Sequence, residues 1–187
     1  MILKKLNAVI GLLSVMTILI HIGYVCYSYL TFYYDPVFKQ ITAVPFIIIA
    51  CVHAVLGMCS VFLMNDGTRL DLYPKQNIKT LIQRVTAALL LPLVILHVRT
   101  FDSLKTSAEN DRWLVFGLII FVQLVFYADA LAHTAVSFSK GLITLGVLKS
   151  DKSRRRLDAV MCVLLAAVFV FAAFSVTKGE LAMFLPK

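Results

Sequence analysis

The chain has 187 residues, of which 60% are hydrophobic and only 15% are charged, and its mean hydropathy is +0.89. Soluble domains carry about 25% charged and 45–50% apolar residues, so this composition excludes a soluble enzyme, a disordered tail and a disulfide-rich secreted scaffold. An integral membrane protein remains, in which hydrocarbon covers the apolar surface. The net charge of +8 does not indicate a nucleic-acid partner, because Lys and Arg gather at the cytoplasmic ends of spanning helices.

Five stretches reach the roughly 20 apolar residues that a spanning helix needs. They are 6–32, 36–64, 78–100, 113–138 and 157–177. Asp35 followed by Pro36 predicts the start of the second helix, since Asp caps a helix N-terminus and Pro suits its first position. Pro45 and Pro92 lie inside spans, where neighbouring helices accommodate kinks. We therefore expect an all-α membrane protein, a single bundle of five transmembrane helices over residues 1–187.

Lys and Arg are distributed unequally between the two ends of the predicted spans. Twelve of the 18 lie at the N-terminus, between spans two and three, and between spans four and five, and the opposite side holds six. The positive-inside rule then predicts a cytoplasmic N-terminus and an outer C-terminus, in a multi-pass protein of the inner (plasma) membrane. Tyr27, Tyr29, Tyr33 and Tyr34, with Trp113, would form an aromatic belt at the outer face. A cleaved signal peptide is not expected, because the first apolar run is too long.

The four cysteines, Cys26, Cys51, Cys59 and Cys162, fall within the apolar spans and match no metal motif in their spacing. Zinc and iron–sulfur sites need clustered thiolates such as CxxC. We therefore expect these cysteines to be small buried hydrophobic side chains.

The four histidines, His21, His53, His97 and His133, fall one each on the first four predicted helices. A polar side chain inside the bilayer is costly and marks a pathway, a ligand or a packing contact. Neutral imidazole is an axial ligand of haem iron, and two histidines on different helices can hold one macrocycle within a bundle. Each histidine alone is equally consistent with a helix–helix hydrogen bond, but four distributed in this way predict two ligand pairs and two haems.

Helix depth predicts how the histidines pair. At about 1.5 Å per residue, His21 and His97 lie roughly 21 and 8 Å from the outer ends of their helices. On the same scale, His53 and His133 lie roughly 27 and 33 Å from the outer ends of theirs. Helices one and three therefore supply an outer pair, and helices two and four an inner pair. Small residues that leave room for a flat ring flank the inner histidines: Ala50, Ala54, Gly57, Ala130 and Ala132.

Two segments resemble a known family. The run 82–87 (IQRVTA), followed by His97, resembles the third helix of the cytochrome b subunits of succinate dehydrogenase and fumarate reductase. The run 53–57 (HAVLG) is similar to the second ligand helix of that family. Five spans with histidines on four of them are similar to its five-helix, two-haem type.

The resemblance implies that His21 pairs with His97 and that His53 pairs with His133. It implies two haem b groups as cofactors and a quinone, expected to be menaquinone, bound near the outer haem. It also implies a flavoprotein and an iron–sulfur subunit on the cytoplasmic face, and allows a homo-oligomer of the whole complex. In such a complex this chain transfers electrons between the iron–sulfur subunit and membrane quinone, while another subunit carries out the dicarboxylate chemistry.

Five further residues are candidates for binding the haems. Arg84, Lys140 and Asn7 are expected near the inner interface, where they can pair with haem propionates. Arginine suits this role especially well, because its planar fork matches a carboxylate. Thr86 and Gly57 belong to the two family motifs.

Two carboxylates are candidates for proton transfer or quinone binding. Asp129 precedes His133 by four residues, so the two share a helix face. This spacing fits a proton relay, a partner for the histidine, or a polar group satisfied within the bundle. Asp35 can supply protons or hydrogen bonds at an outer quinone site. The basic cluster at 149–156 favours a topology determinant or lipid contact over a docking patch.

Two other functions remain open at this point. Cytochrome b subunits of other quinone-linked oxidoreductases (nitrate reductases, formate dehydrogenases, hydrogenases) also hold haems between helices, although they often place several histidines on a few helices. A haem-free membrane carrier or assembly scaffold would instead use the histidines and Asp129 to move protons or to bind a substrate.

Overall fold

The computed structural model describes residues 2–63, 74–106 and 111–184. They form five α-helices: α1 (Ile2–Thr31), α2 (Pro36–Leu63), α3 (Pro74–Thr106), α4 (Arg112–Thr144) and α5 (Asp151–Phe184). These ranges contain no β-strand, and each helix is long and apolar enough to cross a membrane. The predicted all-α class and the five spans are confirmed, and the chain is a multi-pass membrane protein.

The helices extend beyond the predicted spans at their charged ends. α4 continues to Thr144 rather than ending near 138, and α5 begins at Asp151 rather than near 157. Hydropathy marks only the part of a helix that hydrocarbon can cover, whereas backbone hydrogen bonding continues until a turn stops it. Gly146 takes a left-handed backbone (φ 79°) just after α4. Glycine adopts this conformation without steric cost, so it ends the helix here.

The predicted start of α2 is confirmed by its cap. Asp35 Oδ1 accepts hydrogen bonds from the backbone N–H groups of Val37 (2.8 Å) and Phe38 (3.2 Å). Such donors have no partner within the first turn of a helix. Tyr24 of α1 ties this turn to the bundle, because its hydroxyl donates to the Asp35 carbonyl oxygen (2.7 Å) and accepts from Asp35 N–H (3.0 Å).

The helices pack as two hairpins and a fifth helix. α1 packs against α2, α3 packs against α4, and α5 packs on both α1 and α4, which also contact each other. Within the described ranges, α2 makes substantial backbone contacts with α1 alone, and α3 with α4 alone. The α1–α2 hairpin and the α3–α4 hairpin therefore meet mainly through α1 and α4.

The apolar core lies where α1, α4 and α5 meet. Its buried members are Cys26, Phe126, Tyr127, Ala172 and Val176. Large apolar side chains stay exposed on the outer faces of all five helices. Because hydrocarbon is as apolar as these side chains, a membrane bundle needs only a small close-packed centre.

The cysteines are all free thiols but differ in burial. Cys26 is buried as predicted, and Cys59 is partly buried, whereas Cys51 and Cys162 are exposed on helix surfaces. The prediction of buried cysteines is therefore wrong for the last two. A thiol is only weakly polar and can face lipid at little cost, so its place in an apolar span does not show which way it points.

The bundle end at the α1–α2 turn carries most of the predicted aromatic belt. Tyr27, Tyr33, Tyr34 and Trp113 are exposed there. Tyr29 instead turns inward, and its hydroxyl donates to a Glu180 carboxylate oxygen of α5 at 2.5 Å. The belt prediction is therefore wrong for Tyr29, which fastens α5 to α1.

Candidate functional site

His53 of α2 and His133 of α4 lie side by side across the two hairpins. Their ring centroids are 6.4 Å apart and the ring planes are inclined by 66°. Metal–imidazole bonds are about 2 Å long, so two rings facing each other across one metal ion need centroids roughly 6 Å apart. The separation of the two rings therefore fits a metal site with two imidazole ligands.

Backbone carbonyl oxygens fix the tautomer of both rings. His53 Nδ1 lies 3.3 Å from the Asn7 carbonyl oxygen, and His133 Nδ1 lies 3.1 Å from that of Gln83. A carbonyl oxygen only accepts, so each Nδ1 carries the proton. Thr86 Oγ1 lies 3.0 Å from His133 Nδ1 and accepts as well, because its own proton goes to carbonyl oxygens of α3. The lone pair of each ring is then on Nε2, one of the two nitrogens through which neutral imidazole can bind a metal.

His21 of α1 and His97 of α3 make up the second predicted pair. His21 Nδ1 lies 3.2 Å from Thr42 Oγ1, and this hydroxyl donates to the Lys39 carbonyl oxygen at 3.0 Å. Since the hydroxyl proton is used there, Thr42 accepts from His21 Nδ1–H. The lone pair of His21 is on Nε2.

Gln123 of α4 holds the fourth ring. It is fully buried (0% exposed), and its Oε1 hydrogen-bonds His97 Nδ1. Its Nε2 donates to Thr100 Oγ1 at 3.0 Å and lies 3.4 Å from the His97 carbonyl oxygen. A carboxamide nitrogen can only donate, so these acceptors orient the amide with Oε1 toward the ring. His97 is therefore protonated on Nδ1 as well.

All four histidines thus share one tautomer, with Nδ1–H bound to a protein acceptor and the lone pair on Nε2. Metal-ligating histidines almost always show this hydrogen bond, which orients the ring and makes it a better ligand. A packing histidine can form the same bond, but it needs no second histidine opposite. Here each pair takes one member from the α1–α2 hairpin and one from the α3–α4 hairpin, as expected of ligands that share a group between helices.

Gly11 of α1 makes room for the His53 ring. A Cβ at Gly11 would lie 2.8 Å from His53 Cε1 and 3.1 Å from His53 Nδ1, so any side chain there would displace the ring. The predicted Gly57 has no comparable contact, since its Cβ would meet Asn7 Nδ2 at 4.0 Å. The sequence does show a glycine in the first span, but not which side chain approaches it.

Positive side chains lie on the same end of α3 and α4 as the His53–His133 pair. Lys140 Nζ donates to Thr80 Oγ1 (2.9 Å) and Gln83 Oε1 (3.0 Å). Arg84 follows Gln83 in α3. The predicted Arg84 and Lys140 therefore lie at the same end of the α3–α4 hairpin, where cations suit carboxylate substituents.

Two buried polar atoms near this pair have no hydrogen-bond partner among the described side chains: Asn7 Oδ1 and Ser137 Oγ. Asn7 also supplies the carbonyl oxygen for His53, and Ser137 follows His133 by one helical turn. A buried polar atom left unpaired costs about 1–3 kcal/mol. These atoms, the paired imidazoles and the cations together fit a haem with polar substituents.

The two predicted carboxylates lie apart from the imidazole Nδ1 atoms. The four-residue spacing predicts Asp129 as a candidate partner of His133. In the structure His133 Nδ1 instead contacts the Gln83 carbonyl oxygen and Thr86 Oγ1. Asp129 Oδ2 is buried and has no hydrogen-bond partner within the described ranges. Asp35 caps α2, which gives its carboxylate a structural role.

A surface groove of about 450 Å³ opens between α1 and α2, next to His21 in the chain. We call it the tyrosine groove, since Tyr24, Tyr27 and Tyr33 line it with Asp35 and Phe38. The Tyr24 and Phe38 rings are in contact at 5.1 Å between centroids. Aromatic walls of this kind can stack against a flat ring.

Two polar residues that the sequence did not single out, Gln123 and Glu180, are buried in the structure. Gln123 could have been singled out from the sequence, because a carboxamide within an apolar span is costly, as an imidazole is. Glu180 lies close to the end of α5, where an acid is ordinarily solvated. Only its contact with Tyr29 shows that it faces inward.

Within the described ranges, no group of three or more His, Cys, Asp or Glu side chains could hold a metal ion. Two histidines at each level suit a metal whose other ligands come from a macrocycle. No protein-family profile, curated protein or solved structure matches this chain.

Proposed function

We propose that this chain is a two-haem cytochrome b that anchors a succinate:quinone oxidoreductase or fumarate reductase in the membrane. It would carry electrons between an iron–sulfur subunit and membrane quinone. Two observations support it: the rings of His53 and His133 lie 6.4 Å apart across the hairpins, and each of the four imidazoles places Nδ1 within hydrogen-bond distance of an acceptor oxygen of the protein.

In this proposal His53 and His133 hold one haem, and His21 and His97 hold the other. A haem with two imidazole ligands takes up and releases single electrons. The acceptors at Nδ1 orient the rings and raise their basicity as ligands. Lys140 and Arg84 would pair with propionates at the inner level, since Lys140 contacts Gln83, the residue that precedes Arg84 in α3.

The tyrosine groove supports a quinone site, which we propose to take menaquinone. It lies at the bundle end of the α1–α2 turn, and its lining residues Ile20 and Tyr24 flank His21 within one turn of α1. Its aromatic walls would stack against the quinone ring. A quinone there would exchange electrons with the His21–His97 level.

The opposite end of the bundle supports docking of the partner subunits. It carries the excess of Lys and Arg that predicts the cytoplasmic face, and the His53–His133 pair lies nearer this end, since its partners Asn7 and Gln83 are close to the starts of α1 and α3. An iron–sulfur subunit bound there, next to a flavoprotein, would exchange electrons with the inner level.

Haem content tests the proposal directly. The full-length chain, purified from membranes in mild detergent, should show a b-type reduced-minus-oxidised absorbance spectrum with two haems per chain. A purified chain with a folded helical spectrum and no haem band would contradict the proposal.

Substitution of each ligand tests the pairing. His53→Ala and His133→Ala should each remove the same haem, and His21→Ala and His97→Ala should each remove the other, as measured by haem content and potential. Thr134→Val is a matched control, because this buried hydroxyl of α4 donates within its own helix, and it should keep both haems. Losses that do not sort into these two pairs would contradict the assignment.

The partner subunits separate this function from the alternatives. Co-purification of a covalently flavinylated subunit, together with haem reduction by succinate in membranes, would support the proposal. A molybdenum or nickel partner would assign the chain to another quinone-linked oxidoreductase. A haem-free chain that moves a substrate or protons would make it a carrier.

A further inference from the structure

The two histidine pairs differ in the kind of hydrogen-bond acceptor that lies at Nδ1. At the inner pair, the Nδ1 acceptors include the main-chain carbonyl oxygens of Asn7 and Gln83. At the outer pair, the acceptors are side chains, the Thr42 hydroxyl and the Gln123 carboxamide. Main-chain acceptors are nearly independent of residue type, whereas side-chain acceptors can be chosen. The outer pair is therefore the one whose acceptors a side-chain substitution can remove. At the inner pair each ring keeps a main-chain acceptor even without Thr86, whose hydroxyl also accepts from His133 Nδ1.

Gln123 is locked in place by three hydrogen bonds. Besides its bond to the ring, it donates to Thr100 Oγ1 at 3.0 Å and lies 3.4 Å from the His97 carbonyl oxygen. Thr100 Oγ1 in turn donates to that carbonyl oxygen at 3.1 Å. A flipped amide would place Oε1 against the His97 carbonyl oxygen, which can only accept, so the surroundings favour the orientation with Oε1 toward the ring.

The next turn of α4 encloses the same ring. The centroid of Phe126 lies 4.7 Å and that of Tyr127 6.2 Å from the centroid of His97. Gln123, Phe126 and Tyr127 are all buried. One stretch of α4 thus fixes both the plane of the His97 ring and the location of its proton.

Packing alone does not account for a glutamine at this position. Burying a carboxamide away from water costs free energy unless every polar atom is satisfied, and the cost is high within a bilayer. A leucine or methionine would pack α3 against α4 without that cost. The hydrogen bond to His97 is what an apolar residue would not supply.

We propose that Gln123 is a positioning residue that sets the tautomer of His97 and, through it, the redox potential of the haem held by His21 and His97. The second half of this inference rests on the proposed function. A stronger acceptor at Nδ1 makes the imidazole a more basic ligand and favours the oxidised iron, whereas loss of the acceptor has the opposite effect. The His53–His133 level has its own acceptors and stays unaffected.

A redox titration of the full-length chain in detergent, followed by haem absorbance, tests this. Gln123→Glu keeps an acceptor oxygen of the same reach, so it should retain two haems and lower the potential of one. Gln123→Leu should raise the potential of that haem or weaken its binding about 10–100-fold. Thr42→Val, which removes the acceptor of His21, should act on the same haem, and the control Thr134→Val on neither.

Two results would overturn the inference about the potential. One is that Gln123→Glu and Gln123→Leu both keep two haems with unchanged potentials, which would reduce Gln123 to a packing residue. The other is that both haems shift equally, which would place the effect on the whole bundle.

Nitrogen NMR of the ¹⁵N-histidine-labelled chain reads the tautomer without relying on haem. His97 should show a single Nδ1–H tautomer in the wild type and in Gln123→Glu. In Gln123→Leu it should show a mixture in those chains that have lost the outer haem, because iron bound at Nε2 would itself keep the proton on Nδ1. A chain with this result but without haem would overturn the proposed function and still support Gln123 as the residue that positions His97. A mixture in the wild type would overturn the positioning role itself.

Discussion

At the scale of single residues, the tautomer of each of the four imidazoles depends on the hydrogen-bond acceptor that a neighbouring helix places at Nδ1. Each Nδ1 meets an acceptor: a carbonyl oxygen, a hydroxyl or a carboxamide. Water is excluded from the bilayer core, so an imidazole without such an acceptor would be left with an unpaired donor. These contacts, together with the space beside each ring, decide which nitrogen can bind a ligand.

Gly11 is the residue at which this space is tightest. Gly11→Ala places a Cβ 2.8 Å from His53 Cε1 and 3.1 Å from His53 Nδ1, the atom that faces the Asn7 carbonyl oxygen, so the ring must shift. We expect loss of the haem held by His53 and His133, measured as a fall from two haems to one per chain.

The control for Gly11→Ala is Gly117→Ala on α4, whose Cβ would meet nothing within 4 Å. Alanine is a better helix former than glycine by about 1 kcal/mol, so both variants should gain similar helix stability. Only Gly11→Ala also introduces a steric clash. Retention of both haems with an unshifted His53 ring in Gly11→Ala would show that the site relaxes around the new methyl group.

At the scale of elements, α5 is the helix without a histidine, and a single buried pair fastens its end to α1. Glu180 is 4% exposed, and its carboxylate accepts from the Tyr29 hydroxyl at 2.5 Å. Gly179 allows this contact, because a Cβ there would lie 2.8 Å from both Cβ and Cγ of Tyr29. α5 therefore packs against α1 and α4, and an ion pair of 3.1 Å between Lys79 of α3 and Asp158 of α5 also joins it to α3.

Substitution of Glu180 tests this fastening. Glu180→Leu leaves the buried Tyr29 hydroxyl without its acceptor, which should lower the free energy of unfolding by about 1–3 kcal/mol. Glu180→Gln keeps an acceptor oxygen and should retain most of the stability. Thermal unfolding in detergent, followed by circular dichroism, measures the difference between the two variants, and equal stability would mean that the hydrogen bond contributes nothing.

At the scale of the whole molecule, two hairpins meet through α1 and α4, and each histidine pair takes one ring from each hairpin. A haem held by such a pair would link the two hairpins. This link matters for α2 and α3, each of which makes substantial backbone contacts only within its own hairpin. The sequence predicts an orientation for this bundle, because the predicted spans assign twelve of the 18 Lys and Arg residues to one side.

Thiol labelling tests that direction. In a chain whose four cysteines are replaced by alanine, Tyr34→Cys lies in the α1–α2 turn and Ser150→Cys lies between α4 and α5, both at exposed positions. A membrane-impermeant maleimide should label Tyr34→Cys in intact cells and Ser150→Cys only after permeabilisation. The reverse pattern would place the N-terminus outside.

The element plan and the helix that carries each histidine could be predicted from the sequence. An apolar run of sufficient length has to form a helix in hydrocarbon, and an imidazole inside it stands out by its cost, so both signals are local. The roles of Gly11, Gln123 and Glu180, and the inward turn of Tyr29, could not be predicted. In a bilayer the lipid-facing and core-facing sides of a helix are both apolar, so hydropathy does not mark the inner face. The sequence alone therefore determined five spans and four intramembrane histidines, whereas the rotation of each helix in the tertiary structure decided which atoms meet them.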